Sequence, residues 1–273
     1  MKFSVLMSVY KNDNEIFFRE ALESVTIYQT LKPSQVVIVQ DGPVSNEINN
    51  IISEIEELER NIEFTRLVKV KNEGLAKALN DGIDACKYEW IARMDSDDIS
   101  LPDRFEKQIN FIKKNGNIDV LGGIISEFDI KPGDLKSERH VGKNNEEIIK
   151  MAKKRTPMNH VTVMYKKSKI IDVGKYTENF GKLEDYKLWV DMISIKANMA
   201  NLDNILVYVR IGNGFISRRS NKQEIKDWDR LQEHLKRNGV INYFELFLNR
   251  MYIRIFTYMP SFMKEIAYKL ILR

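Results

Sequence analysis

The residues most able to do chemistry are Asp95-Ser96-Asp97-Asp98, three carboxylates in four positions that follow an apolar run and stand shortly before Pro102. Clustered carboxylates repel one another unless a cation or water screens them. Hard oxygen ligands with open positions suit Mg²⁺ or Mn²⁺ holding a substrate diphosphate, because such ions use one or two carboxylates and let phosphate and water complete the shell. A solvated helix-capping cluster is the competing account, since Asp caps helices well and Pro favours the first helical turn. A second acidic pair, Glu184-Asp185, opens a stretch in which Leu183, Leu188, Trp189, Met192 and Ile193 recur at helical spacing; carboxylates there complement the helix dipole. Asn72 and Gly74 precede another helical stretch, either as caps or as the start of an anion site made of its first amides. Lys77 either reaches a phosphate or lies on a solvated face. His160, just before an apolar run, reads as a partly buried histidine satisfied by backbone or as a group at an acceptor or metal edge. Arg210, Arg218 and Arg219 flank Gly212 and Gly214 in a basic segment that either closes over a diphosphate or is a solvated loop. Gly212-Asn213-Gly214 is no dinucleotide fingerprint, because the third glycine and the first-strand context are missing.

The elements that must position these groups follow from the hydrophobic period. Short apolar, β-branched runs predict strands over Phe3 to Val9, Gln35 to Gln40, Glu63 to Val70 and Glu89 to Met94. Amphipathic stretches between them predict helices over Glu15 to Tyr28, Ser45 to Arg60, Leu75 to Cys86 and Pro102 to Lys114. Such alternation is an α/β layout with a mostly parallel sheet between helices, and ligands of that layout bind beyond the carboxyl ends of the strands. Tyr10, Asp41, Asn72 and Asp95 all follow those ends. Later come a helix near Glu146 to Arg155, an apolar strand Val161 to Tyr165 and a charged helix over 221–237. From Val240 onward aromatic residues mix with Arg250, Arg254, Lys264, Lys269 and Arg273, predicting a helical pair broken at Pro260.

Composition bounds the partners. The chain has 273 residues, 43% hydrophobic and 30% charged, with 43 basic against 39 acidic side chains and a net charge of +4. That balance is far from the basic stripe of a dedicated nucleic-acid binder and suits an anionic small molecule or a membrane surface. The single cysteine, Cys86, excludes an internal disulfide and a cysteine metal cluster, making a reducing, cytoplasmic setting the expectation. The start has no signal-peptide pattern, and no run of 18 apolar residues predicts a membrane span.

Five stretches together resemble the family 2 glycosyltransferases: Ser4-Val-Leu-Met-Ser-Val-Tyr-Lys-Asn12, Gln40-Asp41-Gly42, Asn72-Glu-Gly-Leu-Ala-Lys-Ala-Leu-Asn80, Ala92-Arg-Met-Asp-Ser-Asp-Asp98 and Leu183-Glu-Asp-Tyr-Lys-Leu-Trp189. The resemblance covers about residues 3 to 210, in the family's order and approximate spacing. It implies the GT-A fold over residues 1–220, with a nucleotide-binding half (1–120) and an acceptor half (121–220), and the pattern of the tail adds a helical extension over 221–273. It places Tyr10 and Asp41 at the uracil, Asn72, Gly74 and Lys77 near the diphosphate, Asp95 and Ser96 on the nucleotide side, and Asp97 on Mn²⁺ or Mg²⁺. Arg93 stabilises the loop, reaches the nucleotide or forms a surface ion pair. Asp185 becomes the general base, and Asp98, His160, Glu184, Trp189, Arg210 and Arg218 become supporting or acceptor-side groups.

The implied activity is transfer of one hexosyl unit, galactose or glucose, from a UDP-sugar to a glycan acceptor with inversion. A lipid-diphosphate-linked acceptor in bacterial surface polysaccharide synthesis suits the basic, aromatic tail, which has the pattern of an interfacial anchor on the cytoplasmic membrane surface. Packing on the catalytic domain or on a second subunit is the other account of that tail. Processive relatives carry Gln-x-x-Arg-Trp and membrane helices; neither occurs here. The alternatives are a sugar nucleotidylyltransferase, which usually opens with a glycine- and arginine-rich phosphate loop absent from Met7 to Lys11, and a non-catalytic membrane-associated binding module.

Overall fold

A computed structural model of the chain describes residues 1–178, 180–211, 222–259 and 263. Strands β1 (Phe3–Val9), β2 (Gln35–Gln40), β3 (Glu63–Val68) and β4 (Trp90–Met94) lie in the parallel order β3-β2-β1-β4. Every residue of β2 is buried, as Val36, Val37, Ile38 and Val39 require of a strand covered on both faces. Period-2 alternation sends Val5 and Met7 of β1 into one core and Leu6 into the other. On the first face lie helices α1 (Glu15–Val25), α2 (Asn46–Leu58) and α4 (Arg104–Lys114); α3 (Leu75–Ala85) packs on the opposite face. The Asn14 side chain accepts from the amides of Ile16 and Phe17, and Ser45 accepts from Ile48, so both caps stand where the sequence periodicity begins. Cys86 closes α3 from inside the second core, where burial pushes its thiol up to about 12.

The parallel expectation holds through β4 and then fails. The later elements are β5 (Ile99–Ser100), β6 (Val120–Phe128), β7 (Ser137–Arg139), α5 (Asn145–Ala152), β8 (Met164–Lys166), α6 (Lys167–Asp172), α7 (Glu184–Ser194) and β9 (Met199–Arg210). The sheet continues β4-β8-β6-β9-β5, with β8 antiparallel to both neighbours, β6 and β9 parallel, and β7 antiparallel on β6. Antiparallel neighbours need no crossover helix between them, which lets short segments fill this half. The strand expected over Val161 to Tyr165 is divided: residues His160–Thr162 form a 3₁₀ turn and only then does β8 begin. The Thr162 hydroxyl donates to the Asn159 carbonyl at 2.7 Å and accepts from the Gly123 amide at 3.0 Å, local bonds that compete with a strand ladder.

The charged helix is α8 (Lys222–Arg237), followed by α9 (Tyr243–Tyr258). A third core joins Phe180, Tyr186 and Val190 to Leu231, Leu235, Val240, Ile241 and Leu246, so α8 and the start of α9 pack on α7. Pro260, Phe262, Lys264, Lys269 and Arg273 lie outside the described residues, as do Gly212, Gly214, Arg218 and Arg219. Among the described residues no helix is long and apolar enough to cross a membrane.

Candidate functional site

The carboxyl ends of β1, β2 and β4 bring Tyr10, Asp41 and Asp95 to one edge of the sheet. Asp41 is buried, and its two carboxylate oxygens accept from the amides of Glu73 and Gly74, each at 2.9 Å. The Asn72 side chain donates to the Asp41 carbonyl at 3.2 Å. Gly42 stands at φ +92, and a Cβ there would meet the Asn72 nitrogen at 2.8 Å, so only glycine lets the two turns close on each other. Asn72 and Gly74 therefore serve the Asp41 turn, with Gly74 also standing immediately before α3. Each Asp41 oxygen retains a lone pair for a further donor, and exposed Tyr10 stands at the end of β1, the strand paired with β2. Lys77 turns along α3 to Asp81 at 2.6 Å, the solvated-face arrangement, and Asp81 also pairs with Lys69.

The acidic loop after β4 gains a member that sequence reading missed. Asp13 accepts from the Tyr10 amide at 3.1 Å and hydrogen-bonds Ser96; burial, with the Asp95 charge adding to it, raises its carboxyl. Desolvation by the surrounding protein and then the Asp95 and Asp13 charges push Asp97 up to about 6, although its side chain reaches solvent. Asp98 points inward, fully buried, and accepts from the Arg210 amide at 2.9 Å; burial pushes it well above the carboxylate range. Asp13 and Asp97 thus gather around Asp95, whose charge raises both of them. Among the described residues no three acidic, His or Cys side chains converge into a complete metal cage. One or two carboxylates with open positions fit an Mg²⁺ or Mn²⁺ ion whose shell a diphosphate and water complete.

Two arginines hold this loop from beneath. Arg93 pairs with Asp95, but as a buried residue of a central strand rather than in the surface ion pair expected; both faces of β4 are covered. Its Nε has no hydrogen-bond partner. Arg104, which sequence reading passed over, is fully buried, donates to the Arg93 carbonyl at 2.8 Å and to Gln108 at 3.2 Å, and is pushed down to about 9 by burial and the Arg93 charge. Arg210 is no arm over a diphosphate. Its guanidinium lies 3.8 Å from the Phe17 ring centroid and 4.5 Å from that of Phe128, pairs with Glu20 at 2.6 Å and donates to the Asp97 carbonyl at 3.2 Å, bracing the acidic loop. Arg218 lies outside the described residues.

Glu184 and Asp185 open α7 as expected. Glu184 is buried with Oε2 unpartnered; burial, then the Asp185 charge, push it up to about 7, and it feels the charges of Arg93 and Asp95 as well. Asp185 is half-buried, and its Oδ1 accepts from the Tyr186 amide at 2.7 Å. The turn ahead of the pair contains Gly181 at φ +57, where a Cβ would meet Asp227 Oδ2 of α8 at 2.6 Å. Trp189, fully buried, meets the His160 ring edge-on at 6.0 Å. His160 is satisfied by a side chain rather than by backbone: its Nε2 lies 2.7 Å from the Tyr176 hydroxyl. Desolvation and the Arg93 charge hold the imidazole well below its usual range, hence neutral. Trp189, about one turn along α7 from the acidic pair, thus packs on His160.

The family described as "Glycosyl transferase family 2" matches residues 4–179. An Escherichia coli UDP-Gal:alpha-D-GlcNAc-diphosphoundecaprenol beta-1,3-galactosyltransferase is 34% identical over 275 residues, covering 100% of this chain and 97% of that protein. The crystal structure of S. aureus TarS 1-349 in complex with UDP-GlcNAc superposes with a TM-score of 0.69 at 17% identity, over 100% of this chain and 76% of that one. A mannosyltransferase from Pyrobaculum calidifontis in complex with GDP-Man and Mn²⁺ gives a TM-score of 0.64 at 13% identity, over 88% of this chain and 65% of that one. These likenesses, with the mixed sheet and its two acidic stations, set aside the nucleotidylyltransferase and non-catalytic readings. The chain belongs to glycosyl transferase family 2, has the GT-A fold and is a glycosyltransferase.

Proposed function

We propose that the chain moves one galactosyl or glucosyl unit from a UDP-sugar to a glycan on a lipid diphosphate, with inversion, at the cytoplasmic face of the membrane in bacterial surface polysaccharide synthesis. The observation that carries this reading is the gathering of Asp13 and Asp97 around the Arg93-paired Asp95 after β4, with a second acidic pair, Glu184-Asp185, opening a separate helix. The E. coli relative, a galactosyltransferase from UDP-Gal to a GlcNAc-diphosphoundecaprenol, supports the choice of donor and acceptor class. In this reading residues 1–220 are the catalytic unit and 221–273 its helical extension.

Tyr10 and Asp41 meet the uracil, and Ser96 and Asp95, the latter held by buried Arg93, the ribose side. Asn72, Gly74 and Lys77 border the diphosphate, Lys77 by leaving Asp81. Asp97, with Asp13 beside it, holds Mn²⁺ or Mg²⁺, which when bound supplies charge neutralisation of the leaving diphosphate. Asp185 takes the proton from the acceptor hydroxyl as that oxygen bonds to the anomeric carbon and the bond to the UDP oxygen breaks on the opposite face. Asp98, Glu184, His160, Trp189 and Arg210 keep these groups in place.

Titration calorimetry of UDP, GDP and CMP, with and without Mn²⁺, tests the nucleotide site. The expected result is UDP-selective binding that needs the metal and is lost in Asp97→Ala. Equal or absent binding of the three nucleotides by folded protein overturns the assignment. A screen of UDP-galactose and UDP-glucose against a lipid-diphosphate GlcNAc acceptor then tests the sugar choice.

A further inference from the structure

Helix α9 enters the third core through Leu246 and turns an apolar stripe outward. Leu246 is its buried residue, and beyond it polar groups meet α8: Asn249 donates to Gln232 and to the Lys153 carbonyl, each at 2.7 Å, half-buried Arg250 pairs with Glu233 at 2.7 Å, and exposed Arg254 pairs with Asp229 at 2.7 Å. Its outward stripe is apolar at helical spacing, with Phe244 69%, Phe247 60%, Ile255 58% and Tyr258 71% exposed, and Met251 between them. Isolated exposed apolar residues need no explanation, whereas a contiguous stripe over four turns marks an interaction surface. Aromatic side chains dominate it, the type that settles where one end is apolar and the other wet.

The rim of the stripe is basic. Lys236 Nζ stands 3.8 Å from the Tyr243 ring centroid, with exposed Arg237 beside it at the end of α8. Lys153 pairs with Glu245 on the first turn of α9, and Lys154, exposed, adds its charge there. Glu245, the one acid of α9, is held by Lys153 and by the Asn242 amide in a capping box, so it places no free negative charge on the stripe. Apolar aromatics rimmed by Lys and Arg match an anionic lipid surface in shape and in charge. A second copy of the chain would bring the same basic rim against itself.

We propose that the outward face of α9, centred on Phe244, Phe247, Met251 and Ile255 and rimmed by Lys154, Lys236 and Arg237, docks on an anionic phospholipid bilayer. This rests on the reading that the acceptor is lipid-linked, which gives the docking its use. Because α9 packs through α8 on the helix that begins with Glu184-Asp185, docking holds the acceptor side of the enzyme at a fixed height above the headgroups.

Co-sedimentation of the full chain with phosphatidylcholine vesicles, with and without phosphatidylglycerol, tests the surface directly. Expected are binding that requires phosphatidylglycerol, weakening in high salt, and a loss of about tenfold or more in affinity in Phe244→Ser/Phe247→Ser. Lys236→Glu/Arg237→Glu is expected to weaken binding with the apolar face intact, and circular dichroism confirms that both variants fold. Transfer to a water-soluble acceptor analogue is expected to be unchanged in both, so a failed glycosyl transfer assay and a failed docking assay are told apart. Folded wild-type protein that stays in the supernatant with both vesicle types overturns the proposal. So does a dimer in light scattering that the double Phe variant converts to a monomer without any vesicle binding.

Discussion

Glu184 and Asp185 are neighbours with opposite demands. Asp185 must be ionised to accept a proton, while Glu184, buried without a partner for Oε2, is held near its proton at neutral pH. A carboxyl whose folded value is raised binds its proton more tightly in the native state, so its ionisation weakens the fold as pH rises from the unfolded value near 4.5 to about 7, and the penalty is absent below that window. Glu184→Gln removes it. The variant is expected to melt about 5 °C above the native chain at pH 8, on the order of 2 kcal/mol, with the gap closing by pH 4.5; equal melting temperatures at pH 8 would contradict a buried, unpaired Glu184. Asp185→Asn is expected to lower turnover by about 10² to 10⁴ while UDP binding in calorimetry persists, and more than about a tenth of native turnover would remove Asp185 from the role of base. The acidic stations were legible because Asp95 to Asp98 and Glu184-Asp185 are contiguous in sequence. Asp13 was not, since it stands alone in a polar stretch and joins the cluster only because β1 and β4 are neighbours. The burial of Arg93 and Arg104 was hidden for the same reason: nothing local distinguishes a charged residue in a central strand from one at an edge, or a helix-start arginine that faces the sheet from one that faces solvent.

Elements α7 and α8 meet at two places that bear on the acidic pair. His234 of α8 hydrogen-bonds Asp191 of α7 at 2.5 Å, and Asp227 presses on Gly181 one turn before Glu184. Gly181→Ala meets both the positive φ and Asp227; the carboxylate end can swing away, the backbone strain cannot. It is expected to cost about 1 kcal/mol in stability and to lower kcat about tenfold through a shifted α7 start, with the KM for donor nearly unchanged. Steady-state kinetics in which KM rises and kcat holds would place the turn at the nucleotide instead. Helices α1 to α4 could be read from period and caps to within a few residues, because Asn14 and Ser45 bond their own first turns. The partner of β8 could not, because strand order is decided by tertiary packing and the Thr162 and Asn159 bonds replace the ladder expected from an apolar run.

At the scale of the molecule, the third core crosses the proposed division at residues 220 and 221. Phe180, Tyr186 and Val190 would lose Leu231, Leu235, Val240, Ile241 and Leu246 if the chain stopped at 220. Each such side chain is worth about 1.5–3 kcal/mol when buried, a sum comparable with the whole stability of a domain. A chain ending at 220 is expected to be insoluble or to melt at least about 10 °C lower; a truncated protein with native melting and full turnover would show that α7 stands without its cover. The lone thiol has a practical reach of its own. Cys86 is buried and remains protonated at neutral pH, so a maleimide dye offered to the native protein meets no competing thiolate. A cysteine placed at Tyr258 would then carry the only fluorophore, and its colour shift on contact with vesicles would report how deeply the end of α9 sits.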